Sequence, residues 1–211
     1  MSVQGIDISN ANGSINWQKV RASGKHFVFF KVNEGDFIDH TTTEARVTAA
    51  HRTGMLVGGY DFLRPKTGRT GAQEFDIFWK HAKAVGLTKK GCLRPVLDIE
   101  ATGFKAFKQT RTRRYVKSWV DRCVQVTGKH PIIYTGYFWR ETLGDWNTTL
   151  GCNLWLAAYT TNWKHYIPKA WNGHASFHQY SETGKVPGVN TKVDLNEYLA
   201  TIENLKRSHT L

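Results

Sequence analysis

Pro95-Val96-Leu97-Asp98-Ile99-Glu100 is the stretch whose reading decides the fold. Apolar residues interleave there with two carboxylates two positions apart, the period-2 pattern of a strand. Side chains alternate faces along a strand, so Asp98 and Glu100 point the same way and share one pocket. Ionised neighbours repel, and stability alone gives little reason to pair two acids on a buried element. Sharing a site drives their pKa values apart, which turns one carboxyl into a proton donor and leaves its neighbour anionic. The alternative is a strand that runs out into solvent with both acids hydrated.

On either side of this strand, apolar runs alternate with helical spacing. Val3 to Ser9 is a first strand carrying Asp7, and Asn16 caps a short helix through Ala22. Phe27 to Val32 has the continuous apolar pattern of a strand covered on both faces, and it ends in the polar turn Asn33-Glu34-Gly35. A helix over Thr42 to Thr53, a strand over Met55 to Phe62 and a helix over Thr70 to Val85 lead to the central strand. After it come a basic helix over Phe107 to Val126 and strands at Pro131 to Thr135, Asn153 to Tyr159, Ala175 to Tyr180 and Lys192 to Glu197, then a short helix.

Such alternation argues for an α/β fold with a largely parallel sheet. About eight strands suggest closure into an irregular, TIM-like (β/α) barrel, a single domain over residues 1–211. Tyr137 to Ala175 is too irregular for regular helices, so an incomplete set is expected. An open doubly wound sheet is the alternative, but no glycine-rich phosphate loop follows any strand. In such barrels the chemistry sits at the C-terminal strand ends. Asp7, Lys31 with Glu34, Tyr60 with Asp61, Asp98 with Glu100, Tyr134, Trp155 with Tyr159, Gln179 and Asp194 fall at or near strand ends. Acids, rings and amides converging on one mouth suit a polyhydroxylated ligand.

The chain has 8 Trp, 8 Tyr and 11 Phe, ample for a core and for stacking on the flat faces of a ligand. Its 29 Lys and Arg against 17 Asp and Glu give a net charge of +12, which draws it toward anionic polymers of a cell envelope. Lys105, Lys108, Arg111, Arg113, Arg114 and Lys117 crowd one helix, either as a solvated face or as a docking site. A nucleic-acid partner has only charge in its favour, because a mouth lined with acids repels phosphate. Cys92, Cys123 and Cys152 are too few and too widely spaced for a disulfide framework or a zinc site, so reduced thiols are expected. No motif calls for a metal or other cofactor. Residues 1–7 lack a basic start and apolar run, so the expectation is synthesis in a cytoplasm without a signal peptide.

Taken in order, Gly5-Ile6-Asp7-Ile8-Ser9, Phe30-Lys31-Val32-Asn33-Glu34-Gly35, Gly59-Tyr60-Asp61-Phe62, Leu97-Asp98-Ile99-Glu100, Ile133-Tyr134-Thr135, Leu154 to Tyr159, His178-Gln179-Tyr180-Ser181 and Val193-Asp194-Leu195-Asn196 resemble a known family. It is glycoside hydrolase family 25, the Chalaropsis-type muramidases of bacteria, fungi and phage, and the resemblance covers nearly the whole chain. It implies an irregular β/α barrel that cleaves the β-1,4 bond between N-acetylmuramic acid and N-acetylglucosamine in peptidoglycan glycan strands; a monomer is the separate expectation. It implies Glu100 as the proton donor and Asp98 as the acid that stabilises positive charge and holds the 2-acetamido group. That group would itself attack the anomeric carbon, giving retention without a protein nucleophile. Asp7 and Asp194 match two further floor acids.

Tyr134 is placed to hydrogen-bond the acetamide and Tyr60, Trp155 and Tyr159 to stack on sugar faces, the alternative for each being a core ring at a strand end. Asp61 and Gln179 join the binding set, Lys31 pairs with floor acids and Glu34 supports binding, or Lys31 and Glu34 are ordinary surface charges. The sequence departs from the family's pattern at Val32-Asn33, where many relatives have Ala-Thr, and at Asp61, commonly His. The expected role is that of a phage endolysin, made in the host cytoplasm and acting on the wall in the periplasm or outside the cell. A catalytically inactive carbohydrate-binding protein on the same barrel is the competing expectation, and four intact acids count against it.

Overall fold

The computed structural model describes residues 2–39, 42–100 and 107–211. Its strands are β1 (Val3–Ile8), β2 (Phe27–Glu34), β3 (Phe37–Ile38), β4 (Leu56–Phe62), β5 (Val96–Asp98), β6 (Ile132–Thr135), β7 (Asn153–Ala157), β8 (Phe177–Gly184) and β9 (Val193–Tyr198). The helices are α1 (Trp17–Ala22), α2 (Glu44–Arg52), α3 (Gly71–Ala84), α4 (Gln109–Thr127), α5 (Phe138–Leu143) and α6 (Ile202–His209). Strand order runs β1-β9-β8-β7-β6-β5-β4-β2, and β2 pairs back onto β1, so eight strands close a barrel. The short β3 hangs antiparallel on β2.

Helix boundaries follow local chemistry. Asn16 caps α1 and Thr43 caps α2 through their side chains, while Thr70 and Gln73 form a capping box at α3. Gly128, in the left-handed conformation, stops α4. Gly71 is required by close approach, since a Cβ there would lie 1.9 Å from the Tyr115 carbonyl oxygen on α4.

Alternation along the strands sorts apolar side chains into two cores. Val28, Phe30, Leu97, Ile133, Leu154 and Leu156 face outward to the helices. Phe27, Phe29, Val96, Ile132, Trp155 and Phe177 fill the barrel. Two glycines make room for the inner rings: a Cβ on Gly5 would meet Phe27 at 2.4 Å, and one on Gly58 would meet Phe29 at 2.8 Å. Burying each such ring stabilises the fold by roughly 2–3 kcal/mol. The inner core fills the barrel below the mouth, so the polar residues at the upper strand ends stand on a packed floor.

The structure departs from expectation in two respects, the direction of one strand and the end of the central one. The sheet is mixed, because β9 runs antiparallel to both β8 and β1. The segment between β8 and β9 is too short for a helical crossover, so the chain turns back on itself. The central strand ends at Asp98, yet Ile99 N–H still donates to the Tyr134 carbonyl at 2.9 Å, so the alternation carries on to Glu100. Between Tyr137 and Ala175 the chain forms α5 and two 3₁₀ turns, Trp163–Tyr166 and Lys169–Trp171. Of the basic residues predicted for α4, Lys105 lies outside the described residues; Lys108, Arg111, Arg114 and Lys117 are exposed.

Candidate active site

A cavity of about 300 Å³ opens at the upper strand ends, lined by acids from both ends and the middle of the chain: Asp7, Asp98, Glu100 and Asp194. Register explains the convergence. Asp7 on β1 lies opposite Asp194 on β9, and Asp98 on β5 lies beside Tyr134 on β6. Because β9 is antiparallel, it is its N-terminal end that reaches the mouth and delivers Asp194.

Asp7 is buried, and its Oδ1 accepts hydrogen bonds from Gln179 Nε2 at 2.9 Å and Asn196 Nδ2 at 2.8 Å. Burial raises the Asp7 pKa against these bonds and one from Asp194. Asp194 is pushed up to about 9 by burial and by the Asp7 charge. At neutral pH the proton therefore stays on Asp194, which donates to anionic Asp7.

The second acid pair behaves similarly. Burial first, and then the Glu100 charge, holds the Asp98 carboxyl well above the usual range, with Lys31 opposing. Glu100, half-buried at the rim, is raised by burial and by Asp7, Glu34 and Glu182, with Arg64 opposing. Two raised carboxyls on one face share a proton and titrate as a pair. Asp98 sits deeper, at 5% exposure, and its Oδ1 has no hydrogen-bond partner among the described residues.

Tyr134 OH donates to Gln179 Oε1 at 2.8 Å, and Tyr159 OH donates to the same oxygen at 2.7 Å. Gln179 thereby carries a chain of bonds from both tyrosines to Asp7. Trp155 lines the cavity but is buried, stacks on Phe29 at 4.7 Å and spends its Nε1–H on Asn196 Oδ1 at 2.9 Å. With Tyr60, also buried, it forms floor, whereas Tyr159 offers an exposed ring at the rim. Lys31 reaches the cavity and pairs with Glu34 at 3.1 Å.

Two expected binding residues lie elsewhere. Glu34 does not line the cavity; it bridges Lys31 and Arg64, whose guanidinium covers the Phe62 ring at 4.4 Å. Asp61 is a correction to the sequence reading. Tyr60 faces inward, so alternation turns Asp61 outward, where it is fully buried and accepts from Trp119 Nε1 at 2.8 Å and Asn33 Nδ2 at 2.9 Å.

Sequence reasoning missed Ser9, Phe62, Phe138 and Glu182 as lining residues and Asn196 as the partner of Asp7. Phe62 and Asn196 were within reach of the period of two, lying two positions beyond Tyr60 and Asp194. Glu182 had no signal, because the register of β8 slips between Gln179 and Ser181.

A profile described as "Glycosyl hydrolases family 25" matches residues 6–189. The chain belongs to glycoside hydrolase family 25. Lysozyme M1 of Streptomyces globisporus is 31% identical over 204 residues, which span 93% of this chain and 67% of that protein. The N,O-diacetylmuramidase of a Chalaropsis species is 28% identical, across 99% of this chain and 100% of its own. A bacterial lysozyme structure from Streptomyces coelicolor superposes with a TM-score of 0.86 at 30% identity, covering 99% of this chain and 97% of that one. This family 25 member is a glycoside hydrolase with the family's closed eight-stranded mixed barrel.

Proposed function

We propose that the protein is an N-acetylmuramidase that hydrolyses the β-1,4 bond between N-acetylmuramic acid and N-acetylglucosamine in peptidoglycan. The observation that carries this is the unpartnered Oδ1 of Asp98 beneath a partly exposed Glu100. A buried acceptor left without a donor is costly, and a sugar acetamide N–H is the donor that satisfies it. Held there, the acetamide carbonyl is the nucleophile. It attacks the anomeric carbon as Glu100 passes its proton to the departing glycosidic oxygen, and Asp98 stabilises the positive charge of the cyclised intermediate. Water, deprotonated by Glu100, then opens that intermediate with net retention. Anionic Asp7 adds a negative field beneath an oxocarbenium-like transition state.

Glu100→Gln keeps the shape and removes the proton. Release of new reducing ends from peptidoglycan is expected to fall by about 100-fold or more. Undiminished release would end this assignment. Mass spectrometry of the products is expected to show muramic acid at the reducing end; glucosamine there would mean a different bond. We propose, on the resemblance to phage relatives, an endolysin role acting on the wall from the periplasm or outside. Bacteria expressing the wild type are then expected to lyse only when the inner membrane is permeabilised, and those expressing Glu100→Gln not at all.

A further inference from the structure

A second cavity of about 540 Å³ adjoins the first. Tyr137 lines it, Phe138 lines the catalytic cavity, and their rings lie 4.4 Å apart. Both openings are built on the segments that follow β6 and β7, so they share one side of the barrel mouth. The second is walled by Tyr137, Trp146 and Tyr166, with Arg140, His165 and Lys169 among them. Tyr137 is 57% exposed and Tyr166 44%. With Tyr159 on the catalytic cavity, they make up three of the five large hydrophobic side chains exposed among the described residues. Large rings held open to water on one side of a mouth mark a contact surface.

The charges of the two cavities differ in sign. The catalytic one carries Asp7, Asp98, Glu100, Glu182 and Asp194 against Lys31. The second carries Arg140 and Lys169 against Asp145. Neither Arg140 nor Lys169 has an ion-pair partner among the described residues.

We propose that this second cavity binds the acidic peptide that branches from the muramic acid residue held in the catalytic cavity. This rests on the muramidase reading. The glycan is neutral along its backbone, so its sugars have no use for two unpaired cations. The peptide carries free carboxylates, which the acidic mouth repels and Arg140 and Lys169 accept; its methyl and backbone surfaces lie against Tyr137 and Tyr166. The cavity selects peptide-bearing chains and leaves the chemistry at Glu100 unaffected.

The test compares two substrates: intact peptidoglycan, and the same glycan stripped of peptides by an amidase, with the lactyl carboxylates so exposed capped as neutral methylamides. In the double variant Arg140→Glu with Lys169→Glu, two exposed positions, KM on the intact polymer is expected to rise about tenfold, the factor equivalent to 1.4 kcal/mol. On the stripped glycan it is expected to stay unchanged. Tyr137→Ala with Tyr166→Ala serves as an independent pair with the same expected pattern. Equal losses on both substrates would make the cavity a sugar subsite, and no loss on either would make it no subsite; each overturns the proposal. Wild-type enzyme that releases no reducing ends from either substrate would overturn the muramidase reading itself.

Discussion

Asp194 shows how one residue's surroundings set its role. An ordinary aspartate releases its proton near pH 4, whereas Asp194 keeps it to about 9 because it is half-buried beside anionic Asp7. The folded state then holds a proton that the unfolded chain has lost, so the stability contributed by this group is full below pH 4 and is lost as pH rises toward 9. Asp194→Asn keeps the hydrogen bond to Asp7 and removes the titration. Its unfolding free energy from urea titration is expected to exceed that of the wild type at pH 8.5, by about 1–3 kcal/mol after solvent screening, and to match it near pH 4. Parallel midpoints across that range would show that Asp194 does not carry the proton. At this scale the sequence was informative wherever two acids sat two apart, as at Asp98 and Glu100. It misled at Asp61, whose neighbour Tyr60 claims the inward face and whose true partners, Trp119 and Asn33, are distant in sequence or on another strand.

Elements were legible where a long periodicity or a local capping residue marked them. The positions of α1, α3 and α4 follow from Asn16, Thr70 and Gly128, residues whose capping chemistry is local. The antiparallel turn of β9 and the short α5 were not, because pairing direction and one-and-a-half-turn helices are decided by tertiary contacts. The terminal helix α6 illustrates this. Its Leu205 joins the barrel's inner core, and its His209 packs against Phe177 and Tyr198. Burial and the charge of Arg94 lower the His209 pKa to about 4, and its Nδ1 has no hydrogen-bond partner among the described residues. The folded state keeps this imidazole neutral, while the unfolded chain takes up its proton from about pH 6.5 downward. Stability from this group is therefore intact above pH 6.5 and is lost progressively as pH falls to 4. His209→Phe abolishes that loss, so between pH 7 and pH 4.5 its unfolding free energy from urea titration is expected to fall less than the wild type's, by about 1–3 kcal/mol. An identical acid limb in both proteins would refute it.

Over the whole molecule, charge is divided by location: acids converge at the barrel mouth, while Lys108, Arg111, Arg114 and Lys117 lie exposed along α4 and its N-terminal cap in a chain of 29 basic and 17 acidic residues. Part of that surface charge is neutralised, since Lys117 pairs with Asp121 at 2.6 Å and Arg122 with Asp76 at 2.8 Å. The remainder leaves a net charge of +12, and we propose that its field draws the protein to anionic wall polymers while the acidic mouth repels phosphate. Such attraction is long-ranged and weakens as the Debye length contracts from roughly 10 Å at 0.1 M salt to 3 Å at 1 M. With Glu100→Gln used to prevent digestion, retention on purified walls is expected to fall about tenfold between these concentrations. Walls chemically stripped of their anionic polymers are expected to retain the protein weakly at both. Salt-independent retention on both wall types would instead place the affinity in the sugar cavity, with the surface charge contributing nothing to capture.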